Sequence, residues 1–310
     1  MFFVYFTAIP IMFNLTYMKT YLSIFSVILF LMLVCSCKKN IAAANNNQIA
    51  FTAEDSSYLK SFNVIGRQQI ITLPTGDATY PTSQALLWVP EIIKKNPKNA
   101  KMRFPLIINL YGQGQNGTNL NLMLQDNTMS AYIAGGFNAD AVNPADGTPS
   151  SFFICRPQCP ISWGWSAPQV NEMLKQLIKT LPIDTTRIYL TGFSSGGWGL
   201  WSCMTDNDNL TNQFAAIIPI SSASADHPDK ITNVDEYGIA CLNICGDQDA
   251  FYPNAVDYTN IINSDKPPIP AVLNTLNNVG HSAWVYAYDN TWKKVKGLNI
   301  SEWMLQYKRQ

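Results

Sequence analysis

The chain has 310 residues, 21 basic and 21 acidic, with 14% charged and 47% hydrophobic side chains. That is long enough for one large α/β domain and too apolar for a disordered chain. The balanced charge excludes the basic surplus of a nucleic-acid binder, and seven scattered cysteines are too few for a disulfide scaffold.

Residues 1–36 hold no acidic residue and one basic residue, Lys19. Met18-Lys19 followed by the apolar run Tyr21 to Val34 reads as an export signal starting at Met18. The run is short and poorly flanked for a membrane span. It ends in Val34-Cys35-Ser36-Cys37, which resembles a bacterial lipoprotein signal with Cys37 as the acylated residue. Residues 38–50, with Asn45-Asn46-Asn47, read as a flexible tether, and 51–310 as one catalytic domain. The expected location is the bacterial cell envelope outside the cytoplasm, at the outer membrane or in the periplasm, with membrane contact through the lipid alone; the alternative is a secreted protein.

Apolar runs then alternate with helical patterns. Gln69 to Leu73 and Ala85 to Val89 read as a leading strand pair, and Pro105 to Leu110 as a buried strand. Asn119 to Ala134 suits a helix, and Phe152 to Cys155 a short strand. Pro168 to Thr180 is an amphipathic helix, with Val170, Met173, Leu174, Leu177 and Ile178 on one face. Further strands are expected at Arg187 to Thr191, Phe214 to Ile220, Ile239 to Cys245 and Ala271 to Leu276. Helices are expected at Gly196 to Met204, Ala255 to Ile262 and Ile300 to Tyr307. Such alternation implies a mostly parallel sheet with helices on both faces and a site at the strands' C-terminal ends.

Gly192-Phe193-Ser194-Ser195-Gly196-Gly197 follows an apolar strand and opens a helix. That is the setting of a nucleophile elbow, a sharp turn that thrusts Ser194 above the sheet. A serine hydroxyl needs a base, and the chain contains two histidines, His227 and His281. Chain order after an elbow is acid, then histidine, which selects His281 and leaves His227 as a surface-loop residue. The acid belongs after the strand Ile239 to Cys245, where Gly246-Asp247-Gln248-Asp249 offers Asp247 or Asp249. An oxyanion requires two N–H donors. Ser195, after the nucleophile, is one candidate. The loop Tyr111-Gly112-Gln113-Gly114-Gln115-Asn116-Gly117 supplies the other, at Gln113.

These motifs resemble secreted α/β-hydrolases of the feruloyl esterase, acetyl xylan esterase and polyhydroxybutyrate depolymerase type, related to phospholipase/carboxylesterase proteins. The resemblance covers about residues 68 to 308. The family loop Leu-His-Gly-x-Gly-x-x-Gly becomes Leu110 to Gly117, with Tyr111 in place of the usual His in the wall of the oxyanion pocket. Ile183 to Gly192 is similar to the family's approach to the elbow, and implies structural roles for Asp184 and Arg187. The Gly-x-x-Asp acid loop puts the acid at Asp249 and leaves Asp247 as a turn former. Gly280-His281-Ser282-Ala283-Trp284 matches the histidine segment. The resemblance implies an α/β-hydrolase fold and a serine hydrolase of carboxylic esters, plausibly acetyl or feruloyl decorations of polysaccharides. It implies no cofactor.

Trp163, Trp165 and Trp198 are candidate substrate-stacking residues. Trp201 and Trp303 belong to the core, and Trp284 braces the His281 loop. Cys155 and Cys159 flank a strand end and are the one candidate pair, with the pairing left open, while Cys241 and Cys245 read as small apolar side chains. No metal is expected, because the cysteines do not form CxxC pairs and neither histidine stands near them. Two other readings stay open: a peptidase of the prolyl oligopeptidase kind, and a non-catalytic glycan-binding surface lipoprotein.

Overall fold

A computed structural model describes residues 63–95, 102–161 and 163–309. The expected export signal, Cys37 and the tether lie outside the described residues. Eleven strands form among them, nine in one sheet. They are β1 (Val64–Ile65), β2 (Gln68–Pro74), β3 (Thr82–Trp88), β4 (Phe104–Leu110), β5 (Asp140–Val142), β6 (Pro149–Ser151), β7 (Phe153–Pro157), β8 (Ile183–Ser194), β9 (Ala216–Ser222), β10 (Ala240–Gly246) and β11 (Val272–Leu276). The sheet order is β1-β2-β3-β7-β4-β8-β9-β10-β11, with β5 and β6 in a separate hairpin.

β1, β2 and β3 pair antiparallel, and β3 is antiparallel to β7. From β7 to β11 all neighbours are parallel. Every residue of β4 and β10 is buried, as expected of parallel strands covered on both faces. The C-terminal ends Leu110, Ser194, Ser222, Gly246 and Leu276 therefore lie along one edge of the sheet.

The helices are α1 (Glu91–Lys95), α2 (Met129–Ala134), α3 (Ala167–Thr180), α4 (Ser195–Thr205), α5 (Asp208–Thr211), α6 (Asn233–Glu236), α7 (Tyr252–Asn263), α8 (Trp284–Ala287) and α9 (Ile300–Leu305). α3 follows its amphipathic pattern: Val170, Met173, Leu174 and Leu177 are buried, each contributing about 1.5–3 kcal/mol. Its start is fixed by the Gln169 side chain, which accepts the Ser166 N–H at 3.0 Å.

The continuous helix expected over Asn119 to Ala134 is not formed. A 3-10 turn spans Leu120–Leu124, and α2 begins only at Met129. Asp126 and Asn127 between them take φ of 59° and 50°. Asp and Asn tolerate this left-handed backbone, which no α-helix can contain. Thr128 then caps α2.

The candidate pair Cys155 and Cys159 does not form a disulfide. All five cysteines among the described residues are free and buried. Cys155 lies within β7 and Cys159 beyond its end, where the Cys159 thiol instead donates to the Gly164 carbonyl at 3.1 Å.

Candidate active site

Ser194 ends β8 and stands immediately before α4. Its φ of 53° and ψ of −122° are strained values for a non-glycine residue. Glycines make the turn possible. A Cβ on Gly192 would collide with the carbonyl of Gly196, and one on Gly196 with the carbonyls of Leu110 and Tyr111. The end of β4 thus packs directly on the start of α4.

The three side chains expected from the motifs meet here. His281 Nε2 lies 2.9 Å from Ser194 Oγ. His281 Nδ1 lies 3.0 and 3.1 Å from the two oxygens of Asp249. With Nδ1–H donated to the carboxylate, the Nε2 lone pair faces the serine hydroxyl. Asp249 is 5% exposed, and the Phe251 N–H donates to its Oδ1 at 3.0 Å. Burial opposes the charged form. The Phe251 amide, the nearby Ser221 hydroxyl and His281 together outweigh that and hold the carboxyl below its ordinary value.

Between the two aspartates left open by spacing, contact with His281 falls to Asp249. Asp247 accepts the Asn278 N–H at 2.8 Å and so ties the acid loop to the histidine loop. The Gln248 N–H adds a bond to the Val279 carbonyl at 3.0 Å. A Cβ on Gly246 would strike that same segment, so the close approach requires glycine. His227 faces Asp206, 3.8 Å away at the far end of α4, and its side chain is largely exposed.

The loop after β4 bends back at Gly112, where Gln115 N–H reaches the Gly112 carbonyl at 3.4 Å. Gln113 and Gly114 form the exposed corner of that turn. A Cβ on Gly112 would stand 3.1 Å from the Ser194 Cβ, so the loop passes directly beside the serine. Ser195 is the first residue of α4, a position whose N–H has no acceptor within its own helix. Tyr111 does not line the pocket. It is 2% exposed, and its hydroxyl donates to the Cys159 carbonyl at 3.0 Å and accepts the Cys159 N–H. It therefore braces the loop from behind.

The tryptophans separate. Trp165 is 1% exposed, with its indole N–H on the Pro157 carbonyl at 3.2 Å. It is a core residue and presents no face to a substrate. Trp163 is 46% exposed and packs edge-on against Trp198 at 6.2 Å. Trp198 donates to Asp226 Oδ2 at 2.8 Å. Between Trp163 and Trp165, Gly164 runs beside the Ser195 carbonyl, so this aromatic pair flanks the start of α4. Trp201 and Trp303 are buried. Asp184 and Arg187 pair at 3.0 Å near the opposite end of β8. Phe251 and Trp284 stand on either side of His281, with ring centroids at 5.3 and 5.5 Å.

Three contacts were not foreseen from the motifs. Cys245, expected as a passive apolar side chain, donates its thiol to Asp249 Oδ2 at 3.6 Å. Phe193 stacks on Trp284. Arg156, wholly buried, reaches the loop after β4 through Gln115. A concavity of about 610 Å³ opens near Phe104, Asp184 and Arg187, at the strands' N-terminal ends and away from Ser194. At the serine itself the site is open, with the His281 side chain 42% exposed. Among the described residues no cluster of three or more His, Cys, Asp or Glu is arranged for a metal, and no helix is long and apolar enough to cross a membrane.

Comparison with known proteins places the fold. No protein-family model matches the chain. Over 125 residues, 40% of this chain, it is 30% identical to a bifunctional acetylxylan esterase/xylanase of Neocallimastix patriciarum, a match spanning 17% of that protein. A thermostable esterase superposes with a TM-score of 0.57 at 20% identity, covering 79% of this chain and 64% of that one. A ferulic acid esterase does so at 0.51 and 13% identity, covering 77% and 99%. A fluorophosphonate-binding serine hydrolase of Staphylococcus aureus gives 0.51 and 14% identity, covering 77% and 98%. The chain thus spans less than two thirds of the thermostable esterase and under a fifth of the curated relative. At these identities the likeness is one of fold: the chain has the α/β-hydrolase fold.

Proposed function

We propose that this protein is a serine hydrolase of carboxylic esters and that Ser194, His281 and Asp249 are its catalytic residues. The observation that carries the reading is the unbroken hydrogen-bonded chain from Ser194 Oγ through the imidazole to the buried carboxylate. As Oγ attacks the ester carbonyl carbon, its proton passes to His281 Nε2 and the carbonyl π electrons move onto oxygen. The Gln113 and Ser195 N–H groups hold that oxyanion. Asp249 remains ionised and stabilises the imidazolium. Collapse expels the alcohol, which takes the proton from Nε2 and leaves an acyl-serine. Water then adds by the same route and releases the acid.

The substrate class in this reading is an acylated polysaccharide, carrying acetyl or feruloyl groups. Support comes from the exposure of His281 at the site, the exposed Trp163, and the acetylxylan esterase and ferulic acid esterase among similar proteins. Export and acylation at Cys37 would hold the enzyme at the envelope surface. A Cys37→Ser protein should then leave the membrane fraction.

Fluorophosphonate labelling of wild type and Ser194→Ala, alongside hydrolysis of acetyl, feruloyl and longer-chain esters, tests the reading. Labelling of wild type alone is expected, with kcat lowered on the order of 10⁶-fold by the substitution. Equal labelling of both proteins rejects Ser194 as the nucleophile.

A further inference from the structure

Arg156 lies on β7, outside every motif that marks the site, yet it is 0% exposed. A buried guanidinium ordinarily faces a carboxylate. Here the contacts are neutral: Nη1 donates to the Met123 carbonyl at 2.6 Å and to Thr128 Oγ1 at 2.7 Å, and Nη2 donates to Gln115 Oε1. Its Nε has no hydrogen-bond partner and is buried. The other end of the Gln115 amide points to Asp126 Oδ2 at 3.5 Å, so the carboxylate acts on the cation from beyond that glutamine and makes no hydrogen bond to it. Burial lowers the guanidinium to about 10, and it remains protonated at neutral pH.

Gln115 closes the turn whose corner is Gln113 and Gly114. Its main chain is held as well, since Gln158 Nε2 donates to the Gln115 carbonyl at 2.9 Å. The Gly117 N–H reaches the Cys159 carbonyl at 2.8 Å. One short stretch, residues 156–159, thus grips the loop at Tyr111, Gln115 and Gly117. The corner itself is exposed and contains a glycine at φ 98°, so it has little rigidity of its own. On its other side, Arg156 lies 6.0 Å from the ring of Phe193, the residue before the serine.

We infer that Arg156 is a positioning residue: its grip on Gln115 fixes the turn that aims the Gln113 N–H at the oxyanion formed on Ser194. This rests on the ester-hydrolase reading and on Gln113 as a donor. A turn left free to rotate would still bind ester but would offer the donor in the wrong place. Its loss should therefore fall on kcat and not on KM.

The experiment compares wild type, Arg156→Gln and Gln115→Ala in ester kinetics, thermal melting and affinity for a boronic acid, which forms a tetrahedral adduct on the serine. Gln115→Ala is the informative variant, because it removes the side chain that Arg156 grips while leaving the Gly112 and Gln158 main-chain bonds of the turn, and the bonds of Arg156 to Met123 and Thr128, in place. Its kcat should fall about 10- to 100-fold, the scale of a misplaced catalytic group. KM should change less than about twofold and boronate affinity should weaken in parallel with kcat. Arg156→Gln should show the same split, beyond any loss of stability. The inference is overturned if Gln115→Ala keeps kcat within about twofold of wild type, or loses kcat with boronate affinity intact. Wild type that neither hydrolyses ester nor labels with fluorophosphonate rejects the underlying reading, a result distinct from either.

Discussion

The indole of Trp284 stacks on the ring of Phe193, with centroids 4.6 Å apart and planes inclined by 28°. Phe193 precedes Ser194 in the chain, and Trp284 lies three residues after His281. The stack therefore ties the segment carrying the serine to the segment carrying the imidazole. It is fastened at the back, where Trp284 Nε1 donates to the Asp126 carbonyl at 3.1 Å.

Trp284→Ala removes the stack and that hydrogen bond together. Trp284 is only partly buried, so the stability loss should fall below the 3–5 kcal/mol typical of a fully buried aromatic, roughly 1–3 kcal/mol. The effect on kcat should be larger than this suggests, about tenfold or more, because His281 loses the neighbour that sets its distance to Ser194. Trp284→Phe keeps a ring in place and should recover most of the rate. Thermal melts and steady-state kinetics on the two variants check this, and a Trp284→Ala enzyme within twofold of wild-type kcat contradicts it.

The contrast between these residues explains what could be read without coordinates. Ser194, Asp249 and His281 are each set by a short local pattern, with glycines at the turns and an apolar strand before the first two. Local order along the chain finds Ser194 and His281 and narrows the acid to Asp247 or Asp249, between which the family resemblance chooses Asp249. The strands of the parallel core were legible for the same reason, since burial on both faces writes itself as a continuous apolar run. Arg156 was not legible, because its meaning depends on Met123, Thr128 and Gln115, brought to it by sheet order and not by spacing. Trp165 and Trp163 look alike in sequence, and only packing separates the core residue from the exposed one. The break at Asp126-Asn127 was within reach, since both residues tolerate the left-handed region, but the apolar spacing on either side outweighed it.

Asp249 predicts a pH dependence. Its carboxyl sits below the ordinary value in the folded chain, so ionisation stabilises the fold above the unfolded pKa of about 3.9. That contribution disappears as pH falls through the lower, folded value. Asp249→Asn cannot titrate. The melting-temperature gap between wild type and Asp249→Asn should therefore be constant near neutrality and narrow as pH falls below about 4. A gap independent of pH down to the acid limit rules this out. At neutral pH the variant should lose on the order of 10⁴-fold in kcat, because the amide no longer holds the tautomer that exposes the Nε2 lone pair.

Trp163 predicts a split between substrates. Its exposed ring packs on Trp198 beside the start of α4, and its substitution tests it as a stacking platform for the sugar of an ester. Trp163→Ala should lower kcat/KM for an acetylated oligosaccharide by about 2- to 13-fold, the range of one lost aromatic stacking contact. Hydrolysis of 4-nitrophenyl acetate, which carries no sugar, should change less than twofold. Equal losses on both substrates assign Trp163 to packing of the loop.

The cysteines supply the last test. Cys155, Cys159, Cys203, Cys241 and Cys245 are all free and buried. Burial pushes the Cys245 thiol up to about 12, and the facing Asp249 carboxylate adds to the shift. A thiol so placed is protonated and donates to the Asp249 carboxylate. It is also inert, because alkylation requires the thiolate and access to it. Prolonged iodoacetamide treatment of the native enzyme near neutrality should leave activity unchanged and these five positions unlabelled. The same treatment in guanidinium chloride, without reductant, should label all five in mass spectra. Label missing at Cys155 and Cys159 until reductant is added contradicts the free state of both thiols. Rapid inactivation of the folded enzyme, with label at Cys245, contradicts its burial beside Asp249.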